Sequence, residues 1–416
     1  MAVVKPFKAI RPPKEIVKDL SCLPYDVMNT QEAREMAKGN KHSLLQITRA
    51  EITCDEDVDE HSEQVYLKSK QNYKMFLDNG WLKKDDEARF YIYAQTMGER
   101  IQYGIVGAAA CEDYFNGTIR KHELTRPVKE DDRMVHINTN NANIEPVFFA
   151  YKAIDEIDAI VNKIVTSQEP EYDFVADDGF GHKLWVIYDE NTNKEIERLF
   201  AEKVKYTYVA DGHHRTAAAA RVGEERKRLN SNHTGNEEYN FFMAVHFPHN
   251  QLSIIDYNRV VKDLNGLSES DFIAALGRKF EIIKIGDEIY KPTKLHEFGM
   301  YLNKTWYKLE ARKSALDDSD PIGILDVTIL SNHVLDKILG IKNQRTSDRI
   351  DFVGGIRGLE ELEKRVDSGD MKIAFSLYPV SMEQLINIAD TGSIMPPKTT
   401  WFEPKLRSGL TIHDLE

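Results

Sequence analysis

At 416 residues the chain is long enough for two or three packed units, and its 41% hydrophobic and 30% charged residues are ordinary for a soluble globular protein. A formal charge of -13 with no block of Lys and Arg argues against nucleic-acid binding, and the longest apolar run, Ile105 to Cys111, is too short to span a bilayer. No N-terminal stretch pairs a basic region with an apolar one, so the expected location is cytoplasmic. Cys22, Cys54 and Cys111 lack metal or redox spacing and are expected to be buried thiols in a reducing compartment. Oligomeric state is left open.

In chain order, Val3 to Pro13 contains three prolines and reads as extended. Asn29 followed by Glu32 predicts a helix cap with its reciprocal acid, the helix closing at Gly39. Ser43 to Thr48 is expected to be a short strand, and Glu60 to Leu77 carries apolar residues at helical spacing. Arg89 to Met97 alternates, and together with Arg100 to Cys111 it predicts paired antiparallel strands. Glu112 to Gly117 reads as a turn. Beyond it, His122-Glu123 lies just past a strand edge, where loops tend to carry function; alone, it is also a common solvated pair.

Pro127 to Asn140 and Ala153 to Val165 are expected to be helices, with a strand at Val147 to Ala150 between them. Strands around Phe174 and from Leu184 to Tyr188 bracket Asp177-Asp178-Gly179, acids that offer metal ligands but whose setting favours a β-turn. A helix from Lys194 to Lys203 leads into the central stretch.

That stretch begins with Lys205 to Tyr208, the end of a buried strand, which stops at Asp211-Gly212. Glycine supplies the positive φ of a sharp strand-to-helix turn, and Thr216 to Val222 holds four alanines, so His213, His214 and Arg215 sit at or just inside a helix N-terminus. Free N–H groups and the positive dipole end stabilise an anion there, and Asp211 is suited to orienting a histidine or holding Mg²⁺. The local reading is a polyphosphate cradle; the plainer one is an Asp N-cap and a solvated first turn. His213 and His214 are poor joint ligands for one metal ion, because adjacent helical residues point about 100° apart.

Asn230 to Glu238 is a polar loop, followed by strands at Tyr239 to Phe247 and Leu252 to Tyr257. A lobe boundary is expected near Leu264 to Ser268. After it come a helix at Ser270 to Phe280, strands at Glu281 to Ile285 and Thr305 to Glu310, and a helix at Asp326 to Leu339. Met371 to Tyr378 is read as a strand and Ser381 to Asp390 as a helix. Pro396 and Pro397 then stiffen the approach to Lys398, Thr399 and Thr400, a combination suited to gripping a small phosphate or carboxylate and equally to a packed surface loop.

Three separated segments, His122-Glu123, Asp211-Gly212-His213-His214-Arg215 and Pro397-Lys398-Thr399-Thr400, resemble in kind and order those of the free serine kinases of the ParB/sulfiredoxin superfamily. From Pro6 to Leu415 the chain is similar to a widespread bacterial family of uncharacterised, ParB-like proteins. The shared pieces are P-F-K-A-I-R-P, P-Y-D-V, K-H-E-x-T, D-G-H-H-R and M-P-P-K-T-T-W-F. The resemblance implies an α/β (α+β) architecture: a ParB/sulfiredoxin-like mixed-sheet catalytic lobe over residues 1–264, a second α/β lobe over 265–416, and a cleft between them.

The kinase resemblance further implies a phosphotransferase acting between a nucleotide, ATP or ADP, and free L-serine or O-phosphoserine. Glu123, beside His122, matches the base for the serine hydroxyl. Asp211, Gly212, His213, His214, Arg215 and Thr216 match the segment that handles nucleotide phosphates and Mg²⁺, with Asp211 as the metal ligand and Asp211 and His213 close to the chemistry. Lys398, Thr399 and Thr400 match the segment that holds the amino acid or its phosphate. Sulfiredoxin-like chemistry is set aside because His213 stands where a reactive Cys is needed. Two other readings are a nucleotide-binding ParB-like regulatory protein without turnover and a metal-dependent hydrolase using Asp211 and His213.

Overall fold

Buried runs of β-branched and aromatic residues fill the middle of unit 1, residues Met1–Leu252 with Pro404–Glu416, in the computed structural model, which describes residues 1–317 and 319–416. They form a nine-stranded sheet. In chain order its strands are β1 (Val4–Lys5), β2 (Tyr91–Met97), β3 (Arg100–Ala110), β4 (Ile119–Arg120), β5 (Val147–Tyr151), β6 (Tyr172–Val175), β7 (Gly181–Val186), β8 (Thr207–Asp211) and β9 (Phe241–Pro248). The spatial order is β4-β8-β5-β9-β3-β2-β7-β6, with β1 beside β3. β8 runs parallel to β4 and β9 parallel to β5, whereas the other pairings are antiparallel, so the sheet is mixed.

Two pairs of helices supply the apolar cover. Ile157, Val161 and Ile164 of the Asp155–Ser167 helix and Ile196, Leu199 and Phe200 of the Glu190–Lys203 helix share a core with Ile92, Ile105 and Trp185. A second core joins Ile137 of the Pro127–Asn140 helix to Ala218, Ala219, Ala220 and Val222 of the His213–Leu229 helix, against Val147, Phe149, Val209 and Phe242. We call the His213–Leu229 helix α1. It lies close on its neighbours because Gly223 has no side chain: a Cβ there would stand 2.5 Å from the Tyr239 carbonyl and 2.6 Å from Cys111 Sγ. Gly223→Val is therefore expected to cost about 1–3 kcal/mol of unfolding free energy through overpacking, read as a lower urea midpoint at unchanged slope. An unchanged midpoint would show that α1 can shift to make room.

The first hundred residues build a third core. Leu20, Leu44, Leu45, Ile47, Tyr73 and Phe76 pack there with Ile412 from the end of the chain. A four-stranded sheet, ordered Lys83–Lys84, Ala9–Arg11, Ile412–Asp414, Ala142–Asn143, ties the two ends of the chain together.

Unit 2, Ser253–Glu403, holds a six-stranded antiparallel sheet. Its order is Phe280–Gly286, Thr305–Ala311, Glu297–Leu302, Ile373–Leu377, Tyr257–Val261, Ile350–Gly354. Leu359, Leu362 and Val366, around the Glu360–Asp367 helix, pack with Val260, Tyr301 and Trp306. The mixed α+β class matches expectation.

Several local expectations are corrected. Ser43 to Thr48 is not a strand; Leu45–Thr48 is a short helix, and side chains of the Glu63–Asp78 helix bind its carbonyls, Ser69 Oγ donating to Ile47 and Asn72 Nδ2 to Gln46. Glu112 to Gly117 is not a bare turn, since Cys111–Phe115 is helical and Gly117, at φ 82°, follows it. Asp326 to Leu339 begins as a helix, Asp326–Leu330, and continues as a π-helical turn, Ser331–Asp336. Glu297–Leu302 and Ile350–Gly354 escaped notice as strands: the first is buried throughout and so lacks alternation. The division between units falls at residues 252/253, because Tyr257–Val261 pairs within the second sheet, and residues 404–416 return to unit 1. Among the described residues no helix is long and apolar enough to cross a membrane.

Candidate functional site

Because β4 and β8 are parallel neighbours, with Ile119 opposite Thr207 and Arg120 opposite Tyr208, the loops leaving their C-terminal ends emerge at the same edge of the sheet. Glu123 comes three residues after β4, and Asp211 closes β8 beyond a register shift between Val209 and Asp211. Gly212 then takes φ 86°, ψ 36°, the left-handed conformation that glycine adopts without a Cβ penalty, and α1 starts at His213. As N-cap, Gly212 offers no side-chain hydrogen bond to the first-turn amides. An anion is suited to those donors.

The strand edge brings two histidines together. The His122 ring stands edge-on to that of His213, centroids 4.5 Å apart at 90°. Both are at least nine-tenths buried. Burial lowers His122 to about 3, with His213 adding to the shift and Glu123 and Asp211 opposing it. Burial likewise lowers His213 to about 4 against the pull of Asp211. Both rings are neutral near pH 7, and His213 Nε2 makes no hydrogen bond among the described residues. His214 is half-buried; its Nε2 accepts from the Arg126 backbone N–H at 3.1 Å, and burial shifts its pKa down.

Asp211 is the charged centre of the turn. Its Oδ2 accepts from Arg215 Nη2 at 3.0 Å, and its Oδ1 lies 3.3 Å from Lys405 Nζ. Burial alone would raise this carboxyl, but Lys405 and Arg215 outweigh it and hold the pKa at about 2. Arg215 also donates to the Pro146 carbonyl. Burial disfavours its charge, yet Asp26, Asp211 and Glu145 more than compensate, so its pKa is raised.

These contacts sort the expected site residues. His122, Asp211, Gly212 and His213 gather at one edge of unit 1, with Glu123 half-buried in the adjoining loop. Arg215 does not present a free guanidinium to a phosphate: its side chain is 6% exposed and braces the turn. Thr216 does not offer its hydroxyl either, since that group is fully buried and donates to the Gly212 carbonyl at 3.0 Å. Lys398, Thr399 and Thr400 belong to unit 2. There Lys398 takes φ 59° and stands 5.6 Å over the Tyr257 ring, its carbonyl accepting from Arg259 Nη2, while Thr399 Oγ1 donates to the Pro396 carbonyl at 2.6 Å.

Around Asp211 the structure adds Lys405, which sequence reasoning left without a role; its only cue was that a carboxylate beside a buried strand end needs a cation. Tyr25, Arg133 and Glu145 were missed too. Arg133 lies 3.9 Å over the Tyr25 ring, and the Tyr25 N–H donates to Glu145 Oε1 at 2.9 Å. Asp177-Asp178-Gly179 is a turn as expected, with Asp178 bound to Arg407.

No group of three or more His, Cys, Asp or Glu among the described residues is placed to hold a metal ion. With its two oxygens on Arg215 and Lys405, Asp211 does not by itself make a Mg²⁺ site.

The neutral histidines make stability depend on pH in one direction. His122, His136, His182, His213 and His246 all have pKa values lowered to about 3 or 4, mainly by burial. The unfolded chain, with histidines near 6.5, binds more protons below that pH, so stability present above 6.5 is lost as pH falls toward 4. Urea unfolding at pH 7 and pH 5 should show a loss approaching about 1.4 kcal/mol per pH unit for each such histidine. A flat profile over that range would mean these rings are protonated in the fold.

The fold and this edge define a mixed α+β protein whose Gly212 strand-to-helix turn lies at the same sheet edge as the His122-Glu123 loop. The chain belongs to the family described as Protein of unknown function (DUF1015), whose profile matches residues 4–328. No curated protein matches it. Among solved structures it is similar to a free serine kinase mutant in complex with AMP, at 10% identity and a TM-score of 0.36, covering 75% of this chain and 93% of that one. It is also similar to a conserved hypothetical protein from Pyrococcus furiosus, at 11% identity and TM-score 0.34, covering 75% and 97%. SbnI with C-terminal truncation from Staphylococcus aureus is similar at 11% identity and TM-score 0.37, covering 74% and 86%.

Proposed function

We propose that this chain is a phosphotransferase of the ParB/sulfiredoxin superfamily that moves a phosphoryl group between a nucleotide and a small hydroxy amino acid, L-serine or O-phosphoserine. One observation carries the reading: the parallel pair β4 and β8 sets the His122-Glu123 loop beside the Gly212 turn, so a carboxylate base and an uncapped helix start share one sheet edge. The three-segment resemblance supports the substrate pair.

In the forward direction the serine hydroxyl oxygen attacks the terminal phosphorus of ATP or ADP. The new P–O bond forms as the bond to the bridging oxygen breaks, the nucleotide leaves one phosphate shorter, and Glu123 takes the hydroxyl proton. First-turn amides and the neutral imidazole of His213 hold phosphate oxygens. To Lys398, Thr399 and Thr400 we assign the amino acid or its phosphate, on the resemblance alone. Reversal, from O-phosphoserine to a nucleotide acceptor, uses the same groups.

The test is incubation of the purified protein with L-serine, Mg²⁺ and ATP, ADP or another nucleoside di- or triphosphate, with O-phosphoserine followed by mass spectrometry; the reverse reaction is run from O-phosphoserine. Turnover in either direction is expected. Nucleotide binding with no turnover in any mixture would replace the enzyme with a nucleotide-binding regulator.

A further inference from the structure

We propose that Arg259, buried in the second sheet beneath the Pro397–Lys398 turn, is the positioning residue that makes this turn an oxyanion site, the oxyanion being the carboxylate or phosphate of the acceptor. The identity of the acceptor rests on the phosphotransferase reading above. Arg259 itself lies outside the three motif segments.

The residue sits in mid-sheet on the Tyr257–Val261 strand, opposite Phe352 on one neighbour and Phe375 on the other. It is 1% exposed. Its hydrogen bonds go to neutral carbonyls: Nη1 donates to Tyr257, and Nη2 donates to Lys398 at 2.9 Å and to Pro397 at 3.4 Å. Nε has no acceptor, and the guanidinium stands 5.3 Å from the centre of the Phe352 ring. Among the described residues no carboxylate pairs with it. Burial pulls its pKa down to about 10, with Tyr257 opposing, so it is still charged at pH 7.

Tying a turn to a sheet does not require a buried charge. A neutral amide donates to carbonyls equally well, and a desolvated guanidinium is costly unless an anion answers it. Arg215 in unit 1 has that answer, since Asp26, Asp211 and Glu145 offset its burial. Arg259 has the burial without the acids, and an anion bound from outside the chain would complete it.

The turn itself says where that anion goes. In a trans peptide unit the C=O and N–H point in opposite directions. Because the Pro397 and Lys398 carbonyls are both drawn to Arg259, the N–H groups of Lys398 and Thr399, in the same two peptide units, point away from the guanidinium and are polarised by it as donors. Lys398 takes the left-handed φ of 59°, Thr399 Oγ1 closes the turn on the Pro396 carbonyl at 2.6 Å, and the Lys398 side chain is exposed. Two adjacent amides backed by a fixed cation suit a small oxyanion.

Isothermal titration of L-serine, phosphoethanolamine and L-serinamide into the full chain, wild type and Arg259→Gln, tests the assignment. Glutamine keeps an uncharged donor and removes the charge. The first ligand carries a carboxylate alone, the second a phosphate alone and the third neither. Arg259→Gln is expected to weaken each anion that the turn holds by about ten-fold or more, while serinamide binds both proteins alike. Which anion is affected identifies the group. Equal weakening of all three ligands, or of none, overturns the proposal, as does a wild type that binds neither anion. Phe352→Glu supplies a second arm, because it sets a carboxylate against the guanidinium with Arg259 still present. It should weaken the same anion by a similar factor, whereas a merely structural arginine would leave binding unchanged. Should Arg259→Gln not fold, Phe352→Glu decides alone, and unchanged anion binding rejects the proposal. Turnover is measured separately. Arg259-dependent anion binding in a protein that makes no O-phosphoserine with any nucleotide keeps the proposal and ends the phosphotransferase reading; turnover by Arg259→Gln at the wild-type KM for serine does the reverse.

Discussion

Glu123→Gln is expected to slow O-phosphoserine formation by about 10²–10⁴-fold while nucleotide affinity stays within about two-fold of wild type. The substitution keeps the size and the half-buried position of the side chain and removes only its ability to accept a proton. The split between rate and affinity is what matters. The first-turn amides of α1 and the His213 ring, which bind phosphate in this scheme, are untouched, so Kd should hold while kcat falls. Single-turnover assays beside titration of the same nucleotide measure the two separately. A Gln variant with full activity would remove Glu123 from the mechanism, and a variant that lost rate and affinity together would place it in binding instead.

Arg215→Met is expected to cost about 3–5 kcal/mol of unfolding free energy, the penalty for leaving buried charge without its partner. Arg215 is the bond between three parts of unit 1: the Pro146 carbonyl, the Asp211 carboxylate and, by charge, Glu145. Glu145 is itself buried, and burial raises its pKa despite the nearby Arg215 and Arg133. Removing the guanidinium deprives both acids at once. Methionine fills much of the volume, so the loss is electrostatic rather than a cavity effect. Denaturant unfolding at pH 7 measures it. If Arg215→Met were as stable as wild type but bound nucleotide poorly, Arg215 would be a ligand-facing cation, and its bracing role would be wrong.

The local chemistry at the strand-to-helix turn was legible because it depends on neighbours in sequence. Asp211 ends the strand, Gly212 takes positive φ and the alanines continue as helix, each step set within a few residues. The capping box at Asn29 and Glu32 was readable for the same reason. What could not be read was side-chain traffic over long separations. Arg215 looked like a phosphate ligand until Pro146, 69 positions away, claimed one of its nitrogens. Ser43 to Thr48 looked extended until Ser69 and Asn72 took the carbonyls a strand would have spent on a ladder. The boundary between units was displaced for a related reason: Tyr257–Val261 has no partner nearby in sequence and pairs with Ile350–Gly354 and Ile373–Leu377.

Residues 404–416 rejoin unit 1 after the whole of unit 2 has been laid down. During synthesis, then, the sheet and α1 emerge early, but Asp211 waits some two hundred codons for its lysine, and Ala9–Arg11 waits longer still for Ile412–Asp414. A chain released before that point has the strand-to-helix turn but neither the Lys405 contact to Asp211 nor the strand that pairs with Ala9–Arg11. Unit 1 can therefore complete its fold only once the last residues of unit 2 have been made and the chain has returned to it.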